Sequence, residues 1–74
     1  MTEHEIASFK YWLELRGTPR EVDEEHIRAK KKVYLAVLKA DINKYEHIVQ
    51  TNVDERIWKY LNFLITLNEW LQNA

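Results

Sequence analysis

The sequence predicts an all-α fold, either a three-helix bundle or a set of extended helical hairpins, in a single helical domain over residues 1–74. One glycine and one proline in 74 residues supply too few turns for an all-β chain. Capping residues mark three helix starts, and apolar residues recur at helical spacing after each. The 46% hydrophobic and 31% charged content is typical of a folded domain. We therefore predict helices over about residues 3–16, 19–51 and 53–73.

The first predicted helix has a signal at each end. Thr2 and Glu5 have the spacing of a capping box, in which each side chain accepts a hydrogen bond from the other residue's backbone N–H. Gly17 follows the last apolar residue and suits the left-handed backbone that commonly ends a helix. These two signals predict a helix over about residues 3–16.

The second predicted helix begins at Pro19, which suits a first helical position, between the capping residues Thr18 and Glu21. Glu24 and Arg28 have the spacing of a favourable helical ion pair. No glycine or proline follows Pro19, so residues 41–43 offer the only plausible break before residue 51. Two apolar stripes predict a neighbour on each side of this helix: Ile27, Tyr34, Leu38 and Tyr45 in one, and Val22, Ala29, Val33 and Ala40 in the other.

The third predicted helix is apolar around most of its circumference. Asn52, with Glu55 three residues later, predicts its start, and its polar stripe is narrow. Phe63 and Trp70 lie beside that stripe, outside the main apolar arc. A helix of this kind is either central in a core or half buried by another molecule.

This surplus of apolar surface predicts a homodimer that joins along the third helix, because two companion helices leave part of the arc uncovered. Asn68 lies near the middle of the apolar arc. In helical assemblies, an asparagine at such a position fixes the register between helices. A C-terminal turn that frays into solvent explains a polar residue there equally well. Ordinary core packing is the alternative for the apolar residues. The predicted interface comprises Trp58, Phe63, Leu64, Leu67, Asn68, Trp70 and Leu71.

These features predict a cytoplasmic, non-enzymatic module of the regulator, adaptor or inhibitor type, which binds itself or another protein. The alternative is a nucleic-acid-binding regulator that uses the basic segment 28–39. In that segment Arg28, Lys31, Lys32 and Lys39 would neutralise phosphates. A net charge of −1 is far from the strongly basic character of most nucleic-acid-binding domains.

One local pattern bears on the alternative. The run Phe9-x-x-Trp12-Leu13-x-x-Arg16-Gly17-Thr18-Pro19 resembles the opening of the core-binding domain of tyrosine recombinases. The resemblance covers the first third of the chain and implies a helical module that clamps DNA. The residues that follow, 21–25, are more acidic than a DNA-facing helix, so the pattern does not identify the chain as a member of that family.

Catalytic residues, metal ligands and cofactors are not predicted. Ser8 is the only serine, and it lies within the first helix without a glycine-lined turn to form an oxyanion hole. The three histidines have no second histidine at helical spacing for a shared metal ion.

No membrane segment is predicted either. The most apolar stretch, from Trp58 to Leu71, contains Lys59 and Glu69 and is shorter than the ~20 residues that span a bilayer. The acidic N-terminus does not resemble a signal peptide. The absence of cysteine agrees with a cytoplasmic location.

Overall fold

The computed structural model describes residues 1–17 and 21–74, and this part of the chain consists of helices without strands. In chain order the helices are α1 (Glu3–Leu15), α2 (Glu24–Ala29), α3 (Lys31–Thr51) and α4 (Glu55–Gln72). The all-α prediction is confirmed, but the described residues form four helices instead of three.

The ends of α1 follow the sequence signals. The hydroxyl of Thr2 accepts a hydrogen bond from the backbone N–H of Glu5 at 3.1 Å, and the Glu5 carboxylate accepts one from the N–H of Thr2 at 2.8 Å. Gly17 has φ 77°, a left-handed conformation that costs glycine little. The predicted capping box and helix end are confirmed, because both depend on neighbouring residues alone.

The predicted second helix is wrong in one respect and agrees with the structure in another. It is divided at Lys30, whereas α3 is continuous through residues 41–43, where the sequence left a break open. The backbone N–H of Lys30 donates to His26 and its carbonyl accepts from Tyr34, so one residue ends α2 and begins α3. Asp23 caps α2 by accepting from the N–H of His26 at 2.8 Å. The predicted cap at Thr18 and Pro19 lies outside the described residues.

The division at Lys30 accompanies contacts that α2 makes with α3 and with the N-terminus. The Nε2 atom of His26 lies 2.7 Å from the hydroxyl of Tyr34, and the N-terminal ammonium of Met1 contacts the carboxylate of Glu24. In a straight helix His26 and Tyr34 would be about 12 Å apart along the axis. A bend that brings these groups together depends on tertiary contacts, and no glycine or proline signals it.

Helices α3 and α4 form an antiparallel hairpin. The Nζ atom of Lys31 donates to the carbonyls of Gln72 and Ala74 at 3.4 and 3.1 Å, at the C-terminal end of α4. Nearer the turn, the rings of Tyr45 and Tyr60 meet edge to face at 5.1 Å. The cap of α4 is Asp54, instead of the predicted Asn52, and the helix begins two residues later than expected.

Helix α1 lies on one flank of this hairpin. Its residues His4 and Tyr11 contact Trp70 and Phe63, so α1 runs antiparallel to α4. The core formed by the helices comprises Phe9, Trp12, Leu13, Ile27, Tyr34, Leu38, Leu64, Leu67 and Leu71. Of the second stripe predicted on the long helix, Ala29, Val33 and Ala40 are exposed, so only the first stripe is core.

Candidate functional site

Three residues of the predicted interface are core residues. The side chains of Leu64, Leu67 and Leu71 have no exposed surface in the single chain, because α4 packs against both α1 and α3. A partner can contact them only if the bundle opens. In the closed bundle they are core residues, so a docking surface on the single chain must use other side chains of the hairpin.

The two aromatics expected beside the polar stripe are partly sheltered by α1. Phe63 meets Tyr11 and Tyr60 at ring-centre distances of 6.0 and 6.2 Å, and Trp70 meets His4 at 5.7 Å. Both side chains are half-buried and pack against the core. The first helix thus covers more of the apolar arc than its length suggested.

The opposite flank of the hairpin carries an open groove between α3 and α4. Its volume is about 360 Å³, and Asn68 is the only predicted interface residue that lines it. Asn68 is half-buried there, as are Leu35 and Ile42 across the groove. The lining residues are Leu35, Lys39, Ile42, Asn43, Asn68 and Gln72. We call the flank that contains this groove the open face.

Both helices present rows with the spacing of a coiled-coil seam along the open face. Alternating steps of four and three residues keep side chains on one side of a helix and allow them to interlock with another helix. The α3 row is Leu35, Lys39, Ile42, Glu46 and Val49, and the α4 row is Trp58, Leu61, Ile65, Asn68 and Gln72. Leu61 is buried in the single chain, so the α4 residues that a partner can reach are Trp58, Ile65, Asn68 and Gln72. Trp58, which is 52% exposed, extends the open face towards the hairpin turn.

Sequence reasoning missed most of this surface. It grouped the α3 residues by the stripes that face the core, although the four–three spacing from Leu35 to Val49 was visible in the sequence. On α4 it identified Trp58 and Asn68 but omitted Ile65. A search for seam spacing, in addition to helical periodicity, would have found both rows.

The residues predicted to bind nucleic acid do not form one free basic surface. Arg28 lies 3.6 Å from the carboxylate of Glu24, and Lys31 donates to carbonyls at the end of α4. Lys32 and Lys39 are exposed, and Lys39 lines the groove beside Asn43. Two of the four cations are therefore engaged within the chain.

The shifted pKa values arise from local contacts. The ammonium of Met1, followed by Arg28, lowers the pKa of Glu24. Burial raises the pKa of Tyr34, and burial together with the nearby Tyr45 and Asp41 raises that of Tyr60. Each of these shifts has a structural cause in helix packing or an ion pair.

Within residues 1–17 and 21–74, no group of three or more histidine, aspartate or glutamate side chains is arranged to hold a metal ion. None of the helices described is long and apolar enough to traverse a bilayer. Comparison of the chain with protein-family models, with curated proteins and with solved structures finds no match.

Proposed function

We propose that this chain is a non-enzymatic interaction module of the regulator, adaptor or inhibitor type, which docks a helical partner protein on the open face. The observation that carries the proposal is the pair of seam-spaced rows that flank the groove between α3 and α4. We place the module in the cytoplasm, in keeping with a chain that has no cysteine.

The chemistry of the open face suits a helix. Leu35, Ile42 and Ile65 supply an apolar strip that is only partly covered, and a docked helix would remove it from water. Asn43, Asn68 and Gln72 line the same groove with amide groups, which can donate and accept hydrogen bonds to fix the partner's register. Apolar contact supplies affinity in such a groove, and the polar groups supply specificity.

The rest of the surface favours protein over nucleic acid. The groove-lining Lys39 is followed seven residues later, on the same side of α3, by Glu46, so the face has no excess of positive charge. Two of the four cations that the alternative requires are already held by Glu24 and by the end of α4. Mixed charges flanking an apolar strip are typical of a helix–helix interface.

Affinity capture from a lysate of the source organism tests the proposal with two matched variants on α3. Ile42→Glu places a charge in the groove, whereas Val33→Glu places the same charge on the opposite, 56% exposed side of the helix. We expect the wild type and Val33→Glu to retain the same bound protein and Ile42→Glu to lose it, with the helical circular dichroism unchanged. Identical bound sets for all three chains would contradict the proposal.

A further inference from the structure

The seam row on α3 is nearly symmetric about Ile42. Leu35 lies seven residues before Ile42 and Val49 seven residues after it, so an apolar residue stands at each end. Lys39 lies three residues before Ile42, and Glu46 lies four after it. The row thus reads apolar, basic, apolar, acidic, apolar, with opposite charges three and four residues from its centre.

A row of this kind is complementary to itself when it is reversed. If a second copy of α3 lies antiparallel on the first, with Ile42 facing Ile42, then Lys39 of each copy faces Glu46 of the other. Leu35 in turn faces Val49. A two-fold axis generates every contact twice, so the dimer contains two Lys39–Glu46 ion pairs. A parallel arrangement in register would instead place Lys39 against Lys39.

The row on α4 has its centre close to the same axis. Ile65 is the middle residue of the α4 row, with the buried Leu61 before it and the half-buried Asn68 after it. The contacts of Tyr45 with Tyr60, and of Lys31 with Gln72, set the register of the hairpin. In that register Ile42 is level with residue 63, which is two residues, or about 3 Å, from Ile65. One axis therefore passes near the middle of both rows.

The open face is large enough for a specific dimer. Two helices side by side, each about 10 Å across and about 30 Å long, present roughly 600 Å². Two such faces together bury roughly 1,200 Å², which lies at the lower end of the range for specific protein interfaces. Both the size and the charge pattern are therefore consistent with a second copy as the occupant.

We infer that the partner on the open face is a second copy of this chain, docked antiparallel about a two-fold axis near Ile42 and Ile65 to form a four-helix core from two hairpins. The inference rests on the proposed function of the open face as a docking surface. In this dimer, the residues that join the copies are Ile42, Ile65 and the Lys39–Glu46 pairs. The leucines of α4 that the sequence predicted at the interface lie in the core instead.

Charge reversal at two exposed positions tests both the dimer and its register. The purified wild-type chain should elute with about twice its 9.0 kDa mass at high micromolar concentration, by light scattering on a sizing column. Lys39→Glu and Glu46→Lys should each weaken association by about tenfold or more, because like charges then face each other at two contacts. The double variant should recover the wild-type affinity.

An equimolar mixture of the two single variants gives the most specific result. Lys39→Glu carries two acids in the row and Glu46→Lys carries two bases, so the mixture should form a heterodimer more tightly than either variant associates alone. Lys39 and Glu46 are exposed, so the reversals should leave helical content unchanged. If either mixing or the double variant fails to restore association, the antiparallel register is overturned.

A cysteine at the axis checks the geometry independently. The chain has no native cysteine, so Ile42→Cys introduces a single thiol that should form a disulfide between two copies under mild oxidation, whereas Val33→Cys should not. Equal cross-linking of the two variants would contradict the inference. If the wild type stays monomeric yet captures another protein, and Ile42→Glu abolishes that capture, only the inference that the partner is a second copy is overturned. If the wild type neither self-associates nor captures another protein, the proposed function is overturned as well.

Discussion

The two flanks of the α3–α4 hairpin have different neighbours and different compositions. The flank under α1 contains aromatic side chains that contact one another, among them Phe63 and Trp70. On the open face, Leu35, Ile42 and Ile65 are interspersed with Lys39, Glu46 and Asn68, and Trp58 lies at the end near the turn. The covered flank thus holds several rings that fill a core, whereas the open face, apart from Trp58, holds smaller apolar residues separated by polar ones that remain hydrated without a partner.

This difference shows how a small bundle divides its apolar surface. Helix α1 has 13 residues and can shelter only one flank of the longer α3 and α4. Its ring contacts and the ion pair of Arg16 with Asp41 hold it there. Small domains bury a modest share of their surface, so the remaining apolar strip is available to another molecule.

The largest expected effect on stability separates two tryptophans, Trp12 on the buried side of α1 and Trp58 on the open face. Trp12 is fully buried and Trp58 is 52% exposed. Trp12→Ala should lower the free energy of unfolding by about 3–5 kcal/mol, because it leaves a cavity in the core. Trp58→Ala should lower it by about 1–2 kcal/mol, since about half of the residue is already exposed to water. Urea denaturation at low protein concentration measures both without a contribution from association.

A milder variant protects this comparison from complete unfolding. Trp12→Phe keeps an aromatic ring beside Tyr34 and removes an indole Nε1 that has no hydrogen-bond partner among the described residues. Trp12→Phe should therefore lower the free energy of unfolding clearly less than Trp12→Ala does. If Trp12→Ala and Trp58→Ala lower stability equally, the distinction between a covered and an open flank is wrong.

The next effect concerns the ion pair that joins the end of α1 to α3. The guanidinium of Arg16 lies 2.7 Å from the carboxylate of Asp41 and 5.7 Å from the centre of the Trp12 ring. Arg16→Ala should lower the free energy of unfolding by about 1 kcal/mol, from a partly exposed ion pair and a cation–π contact. Asp41→Ala should lower it less, because the ring contact remains.

A double-mutant cycle on Arg16 and Asp41 measures their coupling directly. We expect a positive coupling that decreases as salt is added, since both side chains are partly exposed. Additive losses would show that the two residues act separately and that ring contacts alone hold α1 on the hairpin.

The sequence predicts the parts of this fold that depend on neighbouring residues. The Thr2–Glu5 capping box and the turn at Gly17 are both found, because each needs only a few adjacent residues. The division at Lys30 is different, since it accompanies contacts of α2 with Met1 and Tyr34 that exist only in the folded chain. Propensity and spacing contain no information about such contacts.

The candidate site is predictable to a similar extent. An apolar surplus on α4 is evident in the sequence, but its division between core and surface depends on where α1 lies. The structure places α1 over Phe63 and Trp70, so the uncovered flank is the one that carries Asn68 and Ile65. Helical periodicity gives the relative angles of these residues, whereas only packing decides which angle is covered.

A smaller effect on stability, with a clear effect on association, is expected from Asn68. This residue lines the groove and is the polar member of the α4 row beside Ile65. Asn68→Leu should leave the monomer about as stable as the wild type, because the side chain is only half-buried. It should strengthen self-association and allow other registers, as removal of a polar seam residue does in coiled coils.

Sedimentation velocity, with Thr66→Leu as a matched control, measures this effect. The hydroxyl of Thr66 donates to the carbonyl of Asn62 on the other side of α4, so its replacement should not change association. Stronger association in both variants would indicate nonspecific contact between apolar surfaces. No change in Asn68→Leu would place its side chain outside the interface.

The smallest effect on stability is expected at the turn between α3 and α4, which α1 does not contact. The backbone N–H of Arg56 donates to Asp54 at 2.9 Å, and this bond, with the nearby guanidinium, lowers the pKa of Asp54. A carboxyl group whose pKa is lower in the folded state stabilises the fold above its unfolded pKa of about 4, and this contribution is lost as the pH falls through the folded value. The melting temperature of the wild type should therefore fall on acidification.

Asp54→Asn keeps a capping acceptor but cannot titrate, so its melting temperature should fall less steeply over the same acidic range, while Asp54→Ala should lose the cap at every pH. Hydrogen exchange should locate the change in the first turn of α4, next to the 94% exposed Val53, and leave the amides near Leu64 protected. Faster exchange throughout the core would show that the turn and the covered flank unfold as one unit. Exchange confined to the turn would show that the end of the hairpin opens independently of the flank that α1 holds.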